Sequence, residues 1–214
     1  MIVFEDSQIL VCRKPVGVIS EDGGLPELLK EQRGLRELYC VHRLDRETSG
    51  LMVYAKTGRA AAALSEAIAA RAMHKEYLAV VSGETPAAGE WRDLLYRDRQ
   101  KNKSYVVKRM RRGVREAVLR FETLERRGGF SLVRIALETG RSHQIRVQFA
   151  SRGFPLVGDG RYGSAERSCP PALFAAALSF PHPVTGESLH FTAEPPSDYP
   201  WTLFSDRPDK TPEP

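Results

Sequence analysis

The sequence predicts an α+β fold, with a mixed, largely antiparallel central sheet and flanking helices. Three observations predict it. Runs with strand-like alternation outnumber helical runs. Most of them follow one another directly instead of alternating with helices, which disfavours a parallel sheet. The runs at 114–124 and 130–138 are separated by the turn-forming stretch RRGG at 126–129, the mark of an antiparallel pair.

The elements follow in order. Residues 2–5 and 8–13 read as short strands, closed by the turn signal KPVG at 14–17. Residues 51–55 alternate as a strand. The stretch 58–73, GRAAAALSEAIAARAM, is Ala-rich with no internal Gly or Pro, and predicts a helix whose apolar face carries Ala61, Leu64, Ile68 and Met73. KEYLAVVSG at 75–83 predicts a strand with Tyr77, Ala79 and Val81 on one face. Residues 85–89 contain Pro and Gly and read as a loop. Strands are predicted at 103–109, 114–124 and 130–138. A short helix over 142–152 is stopped by Gly153. Residues 173–180 fit a strand or a short helix, and 188–193 a closing strand. A single domain over 1–204 is expected, with the Pro- and charge-rich tail 205–214 disordered.

Composition narrows the class. The chain has 214 residues, 42% of them hydrophobic, enough for a proper core. The N-terminus carries acids before any apolar run, unlike a signal peptide. No apolar stretch approaches the about 18 residues of a membrane span, so no membrane partner is expected. Cys12, Cys40 and Cys169 lie far apart without ligand spacing, which fits reduced thiols in the cytoplasm and no metal. Net charge is +5, yet residues 97–115 hold nine Lys or Arg against one Asp, so the rest of the chain is net negative. A basic block of this kind points to a polyanionic partner, nucleic acid above all; a solvated hairpin is the alternative.

Four blocks hold the unusual residues: KPVG (14–17), HRLDRETSG (42–50), KEYLAVVSG (75–83) and ETGRSHQIRVQFASRGFPLVGDGRYG (138–163). Asp45 stands between Arg43 and Arg46 just ahead of an apolar run. A neighbouring cation favours the ionised carboxylate, which can attack or stabilise a cationic centre; on spacing alone a plain structural salt bridge is the commoner arrangement. Other chemistries fail on inventory. There is no GxSxG, no phosphate-binding GxxxxGK[ST], no GxGxxG after a strand, and no HExxH. What remains is a carboxylate, arginines and a Tyr, without metal or cofactor.

These blocks resemble the RluA-type RNA pseudouridine synthases. HRLDRETSG resembles the family's HRLD-x-x-TSG, KEYLAVVSG its K-x-Y strand, residues 139–163 its TGR-x-HQIR…GD-x-x-YG block, and FPHPVTGESLHFTAEPP (180–196) its closing HP…TGE segment. The resemblance implies the pseudouridine synthase fold and conversion of uridine in structured ribosomal or transfer RNA to pseudouridine, without cofactor. It implies Asp45 as the catalytic carboxylate, Arg146 as its cationic partner and Tyr77 as the active-site aromatic. Arg43 is expected to fill the space left by a flipped nucleotide and His42 to orient the loop. Arg46, Arg141 and the basic-block residues Arg109, Arg111 and Arg112 are expected to contact RNA. The sequence departs from the pattern at Gln148 and Phe174, where histidines are usual, and at VISEDGG (18–24). The KPVG block begins at residue 14, which leaves no room before it for the N-terminal RNA-binding module of many members; RNA affinity is expected from the catalytic domain, acting as a monomer. Two other readings compete: a non-catalytic RNA-binding protein on the same scaffold, and a glycoside hydrolase with Glu47 as its second carboxylate.

Overall fold

The computed structural model describes residues 1–204. Eleven strands form one sheet: β1 (Ile2–Glu5), β2 (Ile9–Lys14), β3 (Tyr39–Cys40), β4 (Ser49–Ala55), β5 (His74–Ser82), β6 (Ala88–Asp98), β7 (Lys103–Val107), β8 (Val114–Arg127), β9 (Phe130–Leu137), β10 (Leu173–Pro181) and β11 (Ser188–Thr192). The main path runs β1-β2-β4-β10-β5-β9-β8-β6-β7, with β3 on β4 and β11 on β10. Only β4 and β10 pair parallel; every other pairing is antiparallel, as expected for the mixed sheet. The tail expectation for 205–214 falls outside the described residues.

Alternation sorts the strands' side chains onto two faces. Leu10, Cys12, Met52, Tyr54, Tyr77, Ala79 and Val81 share one core with helices α1 (Leu25–Arg33) and α3 (Gln144–Ala150). Ile9, Val11, Leu51 and Val53 face the other way, against helix α2 (Gly58–Ala69). The common face expected of Tyr77, Ala79 and Val81 is therefore present. The segment 173–180, open between strand and helix, is the central strand β10.

The elements differ from expectation at three places. α1, for whose residues the sequence predicts no element, follows Gly23-Gly24 and carries Pro26 in its first turn; Glu27 starts it by accepting from the Gly23 and Gly24 N–H groups at 2.9 and 3.0 Å. Residues 88–98, left unassigned apart from a loop at 85–89, form β6, whose exposed face carries ion pairs rather than apolar residues, such as Arg92–Glu90 and Arg120–Glu90 across to β8. The helix over 58–73 stops at Ala69, although no Gly or Pro ends it. Instead Arg71 adopts φ +59°, and the Arg71 and Ala72 N–H groups bond back to the Ile68 and Ala67 carbonyls at 3.1 and 2.8 Å. This is the left-handed end that glycine normally supplies, and an L-residue there costs roughly 1–2 kcal/mol. Met73 then packs into the α2 core from beyond the helix.

Candidate active site

A cleft of about 880 Å³ opens between the 41–48 loop, the 71–77 segment and the 136–146 segment. That is ample for a nucleotide. Its three walls come from blocks far apart in sequence, and each carries a residue singled out above: Asp45, Tyr77 and Arg146.

The loop bearing Asp45 is clamped from behind. Lys14, fully buried, donates through Nζ to the carbonyls of Pro15, Val18 and Arg46 at 2.9, 2.7 and 3.1 Å. The Gly17 N–H donates to the Arg46 carbonyl at 2.8 Å, and Arg46 Nε returns a bond to the Gly17 carbonyl at 2.8 Å. KPVG and HRLDRE thus form one unit. Burial pushes the Lys14 ammonium down to about 8, with Asp45's charge opposing the shift. Downstream, the Thr48 N–H closes a turn onto the Asp45 carbonyl at 3.0 Å. Gly50, at φ +119°, then lets β4 lie against β10: a Cβ there would sit 2.4 Å from the Ala175 carbonyl oxygen.

Arg146 is 2% exposed and meets three carboxylates. Its Nε and Nη2 donate in a fork to Asp159 Oδ2 and Oδ1 at 2.6 and 2.9 Å. Nη1 reaches Asp45 Oδ2 at 3.4 Å, and Nη2 lies 3.0 Å from Glu47 Oε2. Burial alone would lower the Arg146 pKa; the hydrogen bonds and charge of Asp159, with Asp45 and Glu47, outweigh it and raise it. Asp159, fully buried, is the residue that fixes the guanidinium. It is reached because Gly158, at φ +82°, passes so close to the Cys169–Pro170 backbone that a Cβ would clash at 2.3 Å.

His143 lies on the same side, its Nε2 3.8 Å from Asp45 Oδ2 and its Nδ1 2.8 Å from the Tyr162 hydroxyl. Burial depresses its pKa to about 4, the Asp45 carboxylate only partly resisting. Tyr162 in turn accepts from the Ser104 N–H of β7 at 2.7 Å, and Ser104 Oγ donates to the Ser142 carbonyl at 2.7 Å. The base of the basic hairpin is therefore fastened to the wall of the cleft.

Tyr77 is buried on β5 between Ile135 of β9 and Ala175 of β10, and burial together with Asp45's charge raises its pKa. His42 lines the cleft, but its Nε2 accepts from the Val53 N–H at 3.1 Å, so it braces the loop against β4. Burial, then Lys75, hold its pKa well below the usual imidazole range. Lys75 also lines the cleft, and burial lowers its pKa to about 8. Arg43 is exposed at the mouth and pairs with Glu21 at 2.7 Å. Arg141 lines the mouth, its Nε donating to the Glu116 carbonyl at 2.9 Å. Arg46 does not line the cleft. Neither do Arg109, Arg111 and Arg112, which stand exposed between β7 and β8, with Arg111 over the Tyr96 ring at 5.2 Å. Lys14, His143, Asp159 and Tyr162 stand inside the sequence blocks KPVG, HQIR and GD-x-x-YG, but the sequence assigns them no role.

Comparison with known proteins bears on the family and the fold. The family described as RNA pseudouridylate synthase matches residues 8–151. Ribosomal large subunit pseudouridine synthase D of Neisseria meningitidis serogroup A is 34% identical over 92% of this chain and 58% of its own length. The uncharacterized RNA pseudouridine synthase YlyB of Bacillus subtilis is 35% identical over 92% of this chain and 69% of its own. The chain thus spans about three-fifths to two-thirds of these relatives. The structure of human RNA Pseudouridylate Synthase Domain Containing 4 superposes with a TM-score of 0.75 at 25% identity, covering 91% of this chain and 88% of that one. With Asp45 and Arg146 facing one another across that shared architecture, the chain belongs to the RNA pseudouridylate synthase family.

Proposed function

We propose that this protein converts uridine to pseudouridine in RNA, with Asp45 as the catalytic carboxylate. One observation carries the reading: Asp45 meets the buried Arg146 guanidinium at 3.4 Å inside a nucleotide-sized cleft. In this reaction the N1–C1′ bond breaks, the uracil turns, and a C5–C1′ bond forms while C5 loses a proton and N1 gains one. Nothing is oxidised or added, so no cofactor is called for. A carboxylate held beside the ribose can attack C1′ or stabilise positive charge there. Arg146, clamped by Asp159, holds the carboxylate's direction without needing to reorganise. Tyr77 offers a ring to stack on the base and a hydroxyl for the later proton transfer at C5. Arg43, on the mouth, fills the gap left in the RNA, where unstacking costs a few kcal/mol.

The relatives' names favour large-subunit ribosomal RNA as substrate, with transfer RNA as a second class. A single chain supplies every wall of the cleft, which supports a monomer as the acting unit, and the free thiols of Cys12, Cys40 and Cys169 fit the cytoplasm. Glu47 argues against a glycoside hydrolase: it shares the Arg146 guanidinium and does not line the cleft.

The test is to incubate in vitro transcribed large-subunit ribosomal RNA, and separately transfer RNA, with the purified protein and map pseudouridines. Asp45→Asn is expected to abolish their formation while RNA affinity and melting temperature stay near the parent. Turnover by Asp45→Asn close to the parent rate would overturn the assignment.

A further inference from the structure

We propose that Arg71 is a substrate-positioning residue that binds a phosphate of the RNA strand beside the nucleotide in the cleft. The inference rests on the functional reading above and adds a residue that neither the sequence blocks nor the Asp45–Arg146 pair points to.

Three observations meet at this position. Arg71 lines the cleft from the α2–β5 connection, the same segment that carries Tyr77. It is exposed, and its backbone stands at φ +59° at the end of α2, where glycine would be free of strain. Its guanidinium has no hydrogen bond or ion pair among the described residues. The other exposed arginines lining the cleft are occupied: Arg43 by Glu21, Arg120 by Glu90 and Glu138, Arg141 by the Glu116 carbonyl. A cation near a helix C-terminus is favourable, but the last turn of α2 could carry one without left-handed strain and has none. Strain kept where a cleft opens is the pattern of a site whose backbone is set by what it binds.

Position limits the ligand. Lys75, four residues on, adds a second cation to the same wall, and no carboxylate faces it in an ion pair among the described residues. An unpaired guanidinium and an unpaired ammonium lining one cleft that takes a nucleotide suit a phosphate diester.

The experiment compares Arg71→Gly and Arg71→Lys with the parent, by filter binding of radiolabelled large-subunit ribosomal RNA transcript from 50 to 300 mM salt, thermal melting, and initial rates. Arg71→Gly is expected to bind about 5- to 15-fold more weakly, with the slope of log affinity against log salt reduced by about 0.7–0.9 for one lost phosphate contact. It should raise KM with little change in kcat, and melt no lower than the parent, by up to about 4 °C higher. Arg71→Lys should keep the salt slope. A merely structural residue would lower the melting temperature on substitution and leave the slope alone. Parent-like affinity and slope in Arg71→Gly, or a lower melting temperature, overturns the proposal. Failure of the parent to form pseudouridine would instead count against the functional reading, since the binding comparison stands without turnover.

Discussion

Asp159→Asn is the substitution whose consequences the structure defines most fully. The side chain is fully buried and takes a two-bond fork from an arginine that is itself 2% exposed. Removing one partner of such a pair costs about 3–5 kcal/mol, because the remaining charge stays in a poorly solvated place. Asn keeps one acceptor, and Asp45 and Glu47 still face the guanidinium, so the lower end, about 3 kcal/mol, applies. For a chain of this size that lowers the melting temperature by about 6–12 °C. The catalytic effect comes on top. Without its fork, the guanidinium is free to turn toward Asp45 and Glu47, and a displacement of about 1 Å at a reacting group costs up to about 100-fold in rate. Single-turnover pseudouridine formation at 20 °C, where the variant remains folded, measures this separately from thermal melting by circular dichroism. A variant that melts within about 2 °C of the parent, or that turns over at the parent rate, would refute the view that Asp159 holds Arg146 in place.

Three further outcomes are expected. Lys14→Met removes the donor shared by three carbonyls, of which only that of Arg46 keeps another, the Gly17 N–H, among the bonds described above, so kcat should fall with little change in KM, and the melting temperature should drop; single-turnover rates at saturating RNA check it. His143 has a folded pKa near 4 against an unfolded value of 6.5, so between these the unfolded chain binds the extra proton and stability falls as pH drops from 6.5 to 4. His143→Asn, which tolerates the left-handed backbone at φ +55°, should flatten that part of the curve, and parallel urea midpoints for parent and variant across this window would reject it. Replacing Arg109, Arg111 and Arg112 together by Ala should weaken RNA binding and reduce its salt slope by roughly 2–3, since three phosphate contacts are removed; an unchanged slope removes the hairpin from the RNA interface.

What could be read from the sequence was what alternation and turn chemistry encode locally. β5, β8 and β9 are strongly periodic, and the Gly128-Gly129 pair, both at positive φ, closes the last two as a two-residue turn. β6 was missed because its partly exposed face is salt-bridged rather than apolar, so no hydrophobic period marks it. Arg71 ends α2 by a conformation its residue type does not advertise. The Asp45 loop's residues were legible through the family resemblance; their geometry was not, because the Asp45–Arg146 contact spans 101 positions and depends on which strands become neighbours.

That dependence has a consequence for how the protein comes into being. β4, which follows the Asp45 loop, and β5, which carries Tyr77, are not neighbours; β10, from the last fifth of the described chain, lies between them. Loop closure over so long a separation is slow and comes late. A chain emerging from the ribosome therefore holds Asp45, Tyr77 and Arg146 well before the cleft can close around them, and a message truncated ahead of residue 173 should yield a product with all three residues present and no pseudouridine formation.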